Sequence, residues 1–174
     1  MLFRSQPFAN RPWGILLKWA LLLTVIGSGL GGTMTGPNNS QTAEMAEIGG
    51  LTAEIGSHTV GAPDGGEGLP GVGWSTEGGD LRIGHFLGLH ALQILPIIGL
   101  AVLWLFGSRS ERQQTNLIHL AAVGYLGTIA LITWQAYRAE PLIFPSALTL
   151  MVTGVFFAII LGLAGLVLAR PASS

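Results

Sequence analysis

Two histidines, His85 and His90, stand in the segment Gly79-Asp80-Leu81-Arg82-Ile83-Gly84-His85-Phe86-Leu87-Gly88-Leu89-His90-Ala91-Leu92-Gln93, where a polar loop runs into an uncharged stretch. Ionisable side chains carried into hydrocarbon are costly, so they usually face a partner, a cofactor or a cavity. Neutral imidazole ligates haem iron or a metal ion and titrates near physiological pH. The chemistry this pair suggests is therefore binding of haem b or a metal ion, or movement of a proton. The same residue types also join helices by hydrogen bonds worth about 1 kcal/mol each, and two histidines alone do not separate these uses.

On an ideal helix with Gly84 as origin, His85 falls at about 100°, Gln93 at about 180° and His90 at about 240°, an arc about 140° wide. This arc is expected to face the interior of a bundle, beside a Gly84-x-x-x-Gly88 strip that allows close helix approach. Two imidazoles leaving one helix are poorly placed to reach a single iron from opposite faces, so a second ligand must come from elsewhere. His119 begins a later apolar stretch near the opposite surface, roughly 15 Å away in depth. His58 lies in the loop on the same side as His85, and Asp64, Glu67 or Asp80 could add a carboxylate, although zinc sites ordinarily need three or four ligands. Asp80 suits the dipole at the start of the helix, with Arg82 as its charge partner. Asp64, Trp74, Asp80, Arg82 and Gln93 together form the expected binding surface, and Pro96 is expected to kink the helix.

The elements that hold these residues are read from charge and apolarity. Only 10% of the 174 residues are charged and 49% are hydrophobic, with a mean hydropathy of +0.57, a balance that belongs to membrane proteins. Uncharged runs from Trp19 to Ala43, Ile83 to Ser108, Gln113 to Tyr137 and Pro141 to Ala169 each exceed the roughly 20 residues needed to cross a bilayer as helix. They predict an all-α integral membrane four-helix bundle, one domain over 1–174, with helices near 13–32, 83–107, 115–137 and 142–169. The outer loop is 33–82. The first helix competes with a cleaved secretory signal, because Arg4 and Arg11 precede an apolar run ending in small residues. The missing A-x-A-like site and the Gly27-x-x-x-Gly31 packing motif favour a retained helix.

Arg4, Arg11, Lys18, Arg109, Arg112 and Arg170 fall on one side of these spans and are expected to be cytoplasmic, with both termini. The acidic loop 33–82 lies opposite. A net charge of −1 gives no electrostatic case for nucleic acid. The absence of cysteine excludes disulfides, thiolate metal sites and cysteine nucleophiles. In the loop, 41–51 is expected to form a short amphipathic helix. The Gly/Pro-rich stretch from Gly56 to Ser75 is expected to be an ordered cap anchored by His58, Val60, Leu69, Val72 and Trp74. Gly71-Val72-Gly73 does not continue into a dinucleotide fingerprint, and no nucleophile elbow frames Ser57 or Ser75. In the last helix, Gly154, Gly162 and Gly165 are expected to be packing points.

The strings Asp80-Leu81-Arg82-x-x-His85-Phe86-x-Gly88-Leu89-His90-Ala91-Leu92-Gln93 and Trp134-Gln135-Ala136-x-Arg138-x-x-Pro141-Leu142 resemble those of an uncharacterised family of small bacterial multi-pass inner-membrane proteins. The resemblance extends over much of 30–145, implies a bacterial inner-membrane setting, and brings no activity or catalytic residues with it. Small size and glycine-lined helices suit a binding or assembly subunit of a larger membrane complex, with the lipid bilayer and other membrane-protein subunits as partners. The rival expectation is a haem-b or metal-dependent membrane redox protein using His85 or His90 with a second ligand such as His58. A transporter or proton path is disfavoured by the absence of acidic groups within the spans.

Overall fold

The computed structural model describes residues 11–170, and these are mostly helical. Helix α1 runs Arg11–Gly31 and ends in a 3-10 turn, Gly32–Met34; the loop then carries α2, Asn39–Ile48, and two short strands, β1 Thr59–Val60 and β2 Gly79–Asp80. Helices α3 (Arg82–Leu89), α4 (Ala91–Leu105), α5 (Glu111–Tyr137) and α6 (Ala147–Ala169) follow. Three spans, beginning with α1 and including α5 and α6, are long and apolar enough to cross a membrane. The pair α3–α4 passes the same test only when taken together, because it is bent by 58°.

Local signals explain the boundaries. Asn38 and Ser110 each accept the backbone N–H three residues on, while Gln41 and Gln113 reach back to cap them in turn. Ser146 caps α6 by accepting from the Thr149 N–H, which moves its start from the expected 142 to Ala147. Ser110 likewise moves the start of α5 from 115 to Glu111. The loop helix occupies Asn39–Ile48 and ends at Gly49, whose φ of 66° suits a residue without Cβ.

The expected single helix 83–107 is interrupted at His90, while α4 continues through Pro96. At the interruption the Phe86 carbonyl accepts from both the His90 backbone N–H at 3.0 Å and its Nδ1–H at 2.8 Å. The Gln93 and Ile94 amides both turn to the His90 carbonyl. Tyr125 on α5 donates its hydroxyl to the Leu87 carbonyl at 2.7 Å, satisfying a backbone group beside the break.

The core joins Leu16, Ala20 and Leu23 of α1 to Ala91 and Leu95 of α4 and Ile118 and Ala122 of α5, each set at helical spacing. Glycines bring α1 and α3 into backbone contact. A Cβ on Gly27 would strike the Gly88 backbone, and one on Gly31 would press on the His85 ring. Gly84 meets Thr133, Gly99 receives Leu16, and Gly127 lies under the Phe156 ring. Gly154, Gly162 and Gly165 are different: a Cβ there would meet nothing within 4 Å, so they are not the packing points expected of them. Helix α6 packs on α5, and Thr149 is its one buried residue.

Candidate functional site

The loop between α1 and α3 forms a cap over the start of α3 and the end of α5, built around Asp80. Strand β1 pairs antiparallel with β2, setting Thr59 opposite Asp80 and Val60 opposite Gly79. Gly79 lies so close to the Ala136 carbonyl at the end of α5 that no side chain would fit there. Asp80 is thereby held at 1% exposure. Its carboxylate accepts the Ser75 N–H at 2.9 Å, the Arg82 N–H at 3.0 Å, Arg82 Nε at 3.0 Å and Arg82 Nη2 at 2.6 Å. Arg82 also donates to the Gly73 carbonyl at 2.6 Å, so one guanidinium joins the helix start to the glycine-rich turn. Burial pushes the Asp80 pKa up, but the hydrogen bonds from Arg82 and Ser75 and the Arg82 charge outweigh it and leave the carboxyl below its ordinary value.

His58 enters the same cluster. Its Nδ1 lies 3.4 Å from Asp64 Oδ1 and 3.9 Å from Asp80 Oδ1, and 3.0 Å from the Thr59 hydroxyl. Asp64 accepts the Thr59 N–H at 2.8 Å and the His58 N–H at 3.2 Å. For Asp64 as well, burial raises the pKa, and bonds from Thr59, His58 and Ser57 outweigh it. Both carboxylates are thus kept ionised by groups that hold the loop together. Among the described residues, no three His, Asp or Glu side chains are grouped to hold a metal ion. Glu67 is exposed, and its carbonyl accepts from the Thr76 N–H and hydroxyl.

The remaining residues expected in one site are divided. The ring of His85 turns toward α1, with Nδ1 2.7 Å from the Gly27 carbonyl. His90 Nδ1 serves the Phe86 carbonyl instead. A carbonyl only accepts, so each Nδ1 carries the proton, and in the neutral ring Nε2 keeps the lone pair. Gln93 is exposed. The common inward arc of His85, His90 and Gln93 is therefore absent, because its angles assume a continuous helix and the break at His90 interrupts it.

Trp74 reaches His90 through a residue that spacing did not single out. It lies edge-on to Phe86 at 5.6 Å, and Phe86 stacks on His90 at 4.0 Å. The aromatic path connects the cap to the bend. Phe86 carried a sequence signal, an aromatic four residues before His90, but the pairing depends on the loop delivering Trp74.

Glu140 was not among the expected site residues. It accepts Arg138 Nε at 2.7 Å, the Ser146 N–H at 3.1 Å and the Thr149 hydroxyl at 2.6 Å. Led by the Thr149 bond, these lower its pKa to about 2 despite burial. A cleft of about 520 Å³ opens nearby, lined by Thr33, Asn38, Ser57, Thr59, Leu81 and Tyr137 among others. Neither this cleft nor the cavities of about 470, 280 and 270 Å³ at the other end are lined by His85 or His90.

No family model, curated protein or solved structure matches the chain. Chemically, this end of the molecule is a hydrogen-bonded cap joined by aromatic contacts to an exposed helix surface, with its two central carboxylates occupied in holding it closed.

Proposed function

We propose that the chain is a four-span membrane subunit that docks neighbouring membrane-protein helices through its outer loop and the exposed face of α3–α4. The course of α3–α4 along α1 supports counting the pair as one broken span. Gly31 meets His85, Gly27 meets Gly88 and Leu16 meets Gly99, an antiparallel progression over about 22 Å of α1. Arg11, Arg109, Arg112 and Arg170 lie at one end of this bundle and the acidic loop at the other, which supports a cytoplasmic basic end.

The observation that carries the docking reading is Gln93. Its side chain is exposed about midway along the paired helices and has no hydrogen bond among the described residues. It is flanked along the chain by exposed Leu89, Leu92, Ile97 and Leu100. An unpaired carboxamide facing hydrocarbon costs a few kcal/mol, and a neighbouring helix that hydrogen-bonds to it removes that cost. The Trp74–Phe86–His90 path extends the same surface to the cap.

A photo-cross-linking residue replacing Ile97, in full-length protein in its native membrane, tests this reading. A discrete protein adduct that disappears in Gln93→Leu is expected. Adducts to lipid alone, or a protein adduct indifferent to Gln93→Leu, would overturn it.

The orientation of the histidines favours a second reading, ligation of haem b or a metal ion. Both Nδ1–H groups are held by carbonyls, the arrangement that leaves Nε2 as a ligand atom. A Soret band lost on His85→Ala or His90→Ala would establish the haem form. A colourless, metal-free protein that still forms its adduct would remove both forms of this reading.

A further inference from the structure

The basic end of the bundle has a second polar construction, remote from the cap. A chamber of about 470 Å³ is lined by Arg11, Glu111, Arg112, Thr115, Asn116 and His119. It lies at the N-terminal end of α5, where the helix dipole favours an anion. Two further cavities share residues with it. One, of about 270 Å³, is lined by Ile15, Lys18, Trp19, Leu22 and His119 between α1 and α5. The other, of about 280 Å³, runs between α5 and α6 past Leu120, Leu163, Leu166 and Val167, with Arg170 at its end. His119 lines all three.

Two details point to a ligand. Thr115 is only 8% exposed, and its hydroxyl has no hydrogen-bond partner among the described residues, although it lines the polar chamber. A buried hydroxyl left unpaired is costly. Trp19 donates its indole N–H to His119 Nδ1 at 2.9 Å, so the neutral imidazole carries its proton on Nε2. His119 is thereby a donor with its acceptor nitrogen already occupied.

We propose that this end binds an anionic phospholipid, with its phosphate headgroup in the chamber and its acyl chains in the two apolar grooves. Arg11, Arg112, Lys18 and Arg170 surround the three cavities against the single carboxylate of Glu111, so the site selects negative charge. The grooves match a membrane lipid better than a free anion. One extends along α1 from Ile15 to Leu22 and the other along α6 from Arg170 to Leu163, each about 10 Å. The proposal requires the chain to lie in a bilayer but is independent of what docks on α3–α4.

The test is native mass spectrometry of the full-length protein in detergent, titrated with phosphatidylglycerol or phosphatidylcholine of identical acyl chains. Phosphatidylglycerol is expected to bind at least about tenfold more tightly, with the preference collapsing in the double variant Arg11→Gln/Arg112→Gln. Thr115→Val is expected to weaken phosphatidylglycerol binding while the lipid-free protein melts no lower, since the change removes an orphaned hydroxyl. Equal binding of the two lipids, a preference unaffected by these variants, or displacement of phosphatidylglycerol by millimolar inorganic phosphate would overturn the assignment. The last result would identify a soluble-anion site.

Discussion

Removing the Asp80 carboxylate should open the cap without unfolding the bundle. Asp80→Ala deletes the acceptor shared by Ser75, the Arg82 backbone and the Arg82 guanidinium. Breaking a buried ion pair from one side costs about 3–5 kcal/mol. The Arg82 side chain is 34% exposed and can rehydrate, which places the loss near about 3 kcal/mol, or roughly a hundredfold in the local opening equilibrium. The core cluster of α1, α4 and α5 includes none of these cap residues. Hydrogen-exchange mass spectrometry of the full-length protein should show residues 58–81 exchanging roughly a hundredfold faster, with the part of α5 around Ile118 and Ala122 unchanged. Asp80→Asn keeps an oxygen acceptor but loses the charge, and should accelerate exchange by about tenfold. If Asp80→Ala left the segment within about threefold of the unmodified protein, the carboxylate would not be what closes the cap.

Two further perturbations test the helix contacts. Gly27→Ala drives a methyl into the Gly88 backbone and should cost about 1–3 kcal/mol, lowering the melting temperature by roughly 5 °C; Gly29→Ala, with nothing within 4 Å, should leave it unchanged or slightly raised in the same thermal assay. Glu140 has a lowered folded pKa, so its stabilising contribution is fully present above its ordinary 4.5 and is lost as pH falls toward about 2. Melting followed by circular dichroism should therefore show a drop over that range that is reduced in Glu140→Gln, which should itself be less stable at neutral pH.

The helical runs were legible because an apolar stretch long enough to cross a bilayer needs no knowledge of its neighbours. The same holds for Gly27, Gly31, Gly84 and Gly88, whose spacing already permits close approach. Which face a glycine presents is a different matter: Gly154, Gly162 and Gly165 have the same composition signal and meet nothing. Placing His58 on the loop side of the spans put Asp64 and Asp80 within its reach, but the site expected there joined His58 to His85, whose ring turns to the Gly27 carbonyl instead. The engagement of His58, Asp64 and Asp80 with Thr59, Ser75 and Arg82 depends on the β1–β2 register, which two-residue strands do not announce. The shared orientation of His85, His90 and Gln93 failed because an ideal helix was extended through His90, whose ring N–H and backbone N–H share one carbonyl. Thr115 and His119 stand four residues apart on α5, but the chamber they line was not legible in the sequence, since Arg11 reaches it from α1.

Helix α6 is fastened near its two ends. Glu140 holds Ser146 and Thr149 at one, while Gln113 donates to the Val167 and Arg170 carbonyls and Arg109 to Leu168 at the other. Between them its packing rests on α5, including the Phe156 ring over Gly127. During synthesis, the α1–α3–α4–α5 core can close before this helix has emerged. Two copies that exchanged their α6 helices would each forfeit and regain one interface, leaving both cores intact, so this helix is the element through which strand exchange between subunits would disturb the least.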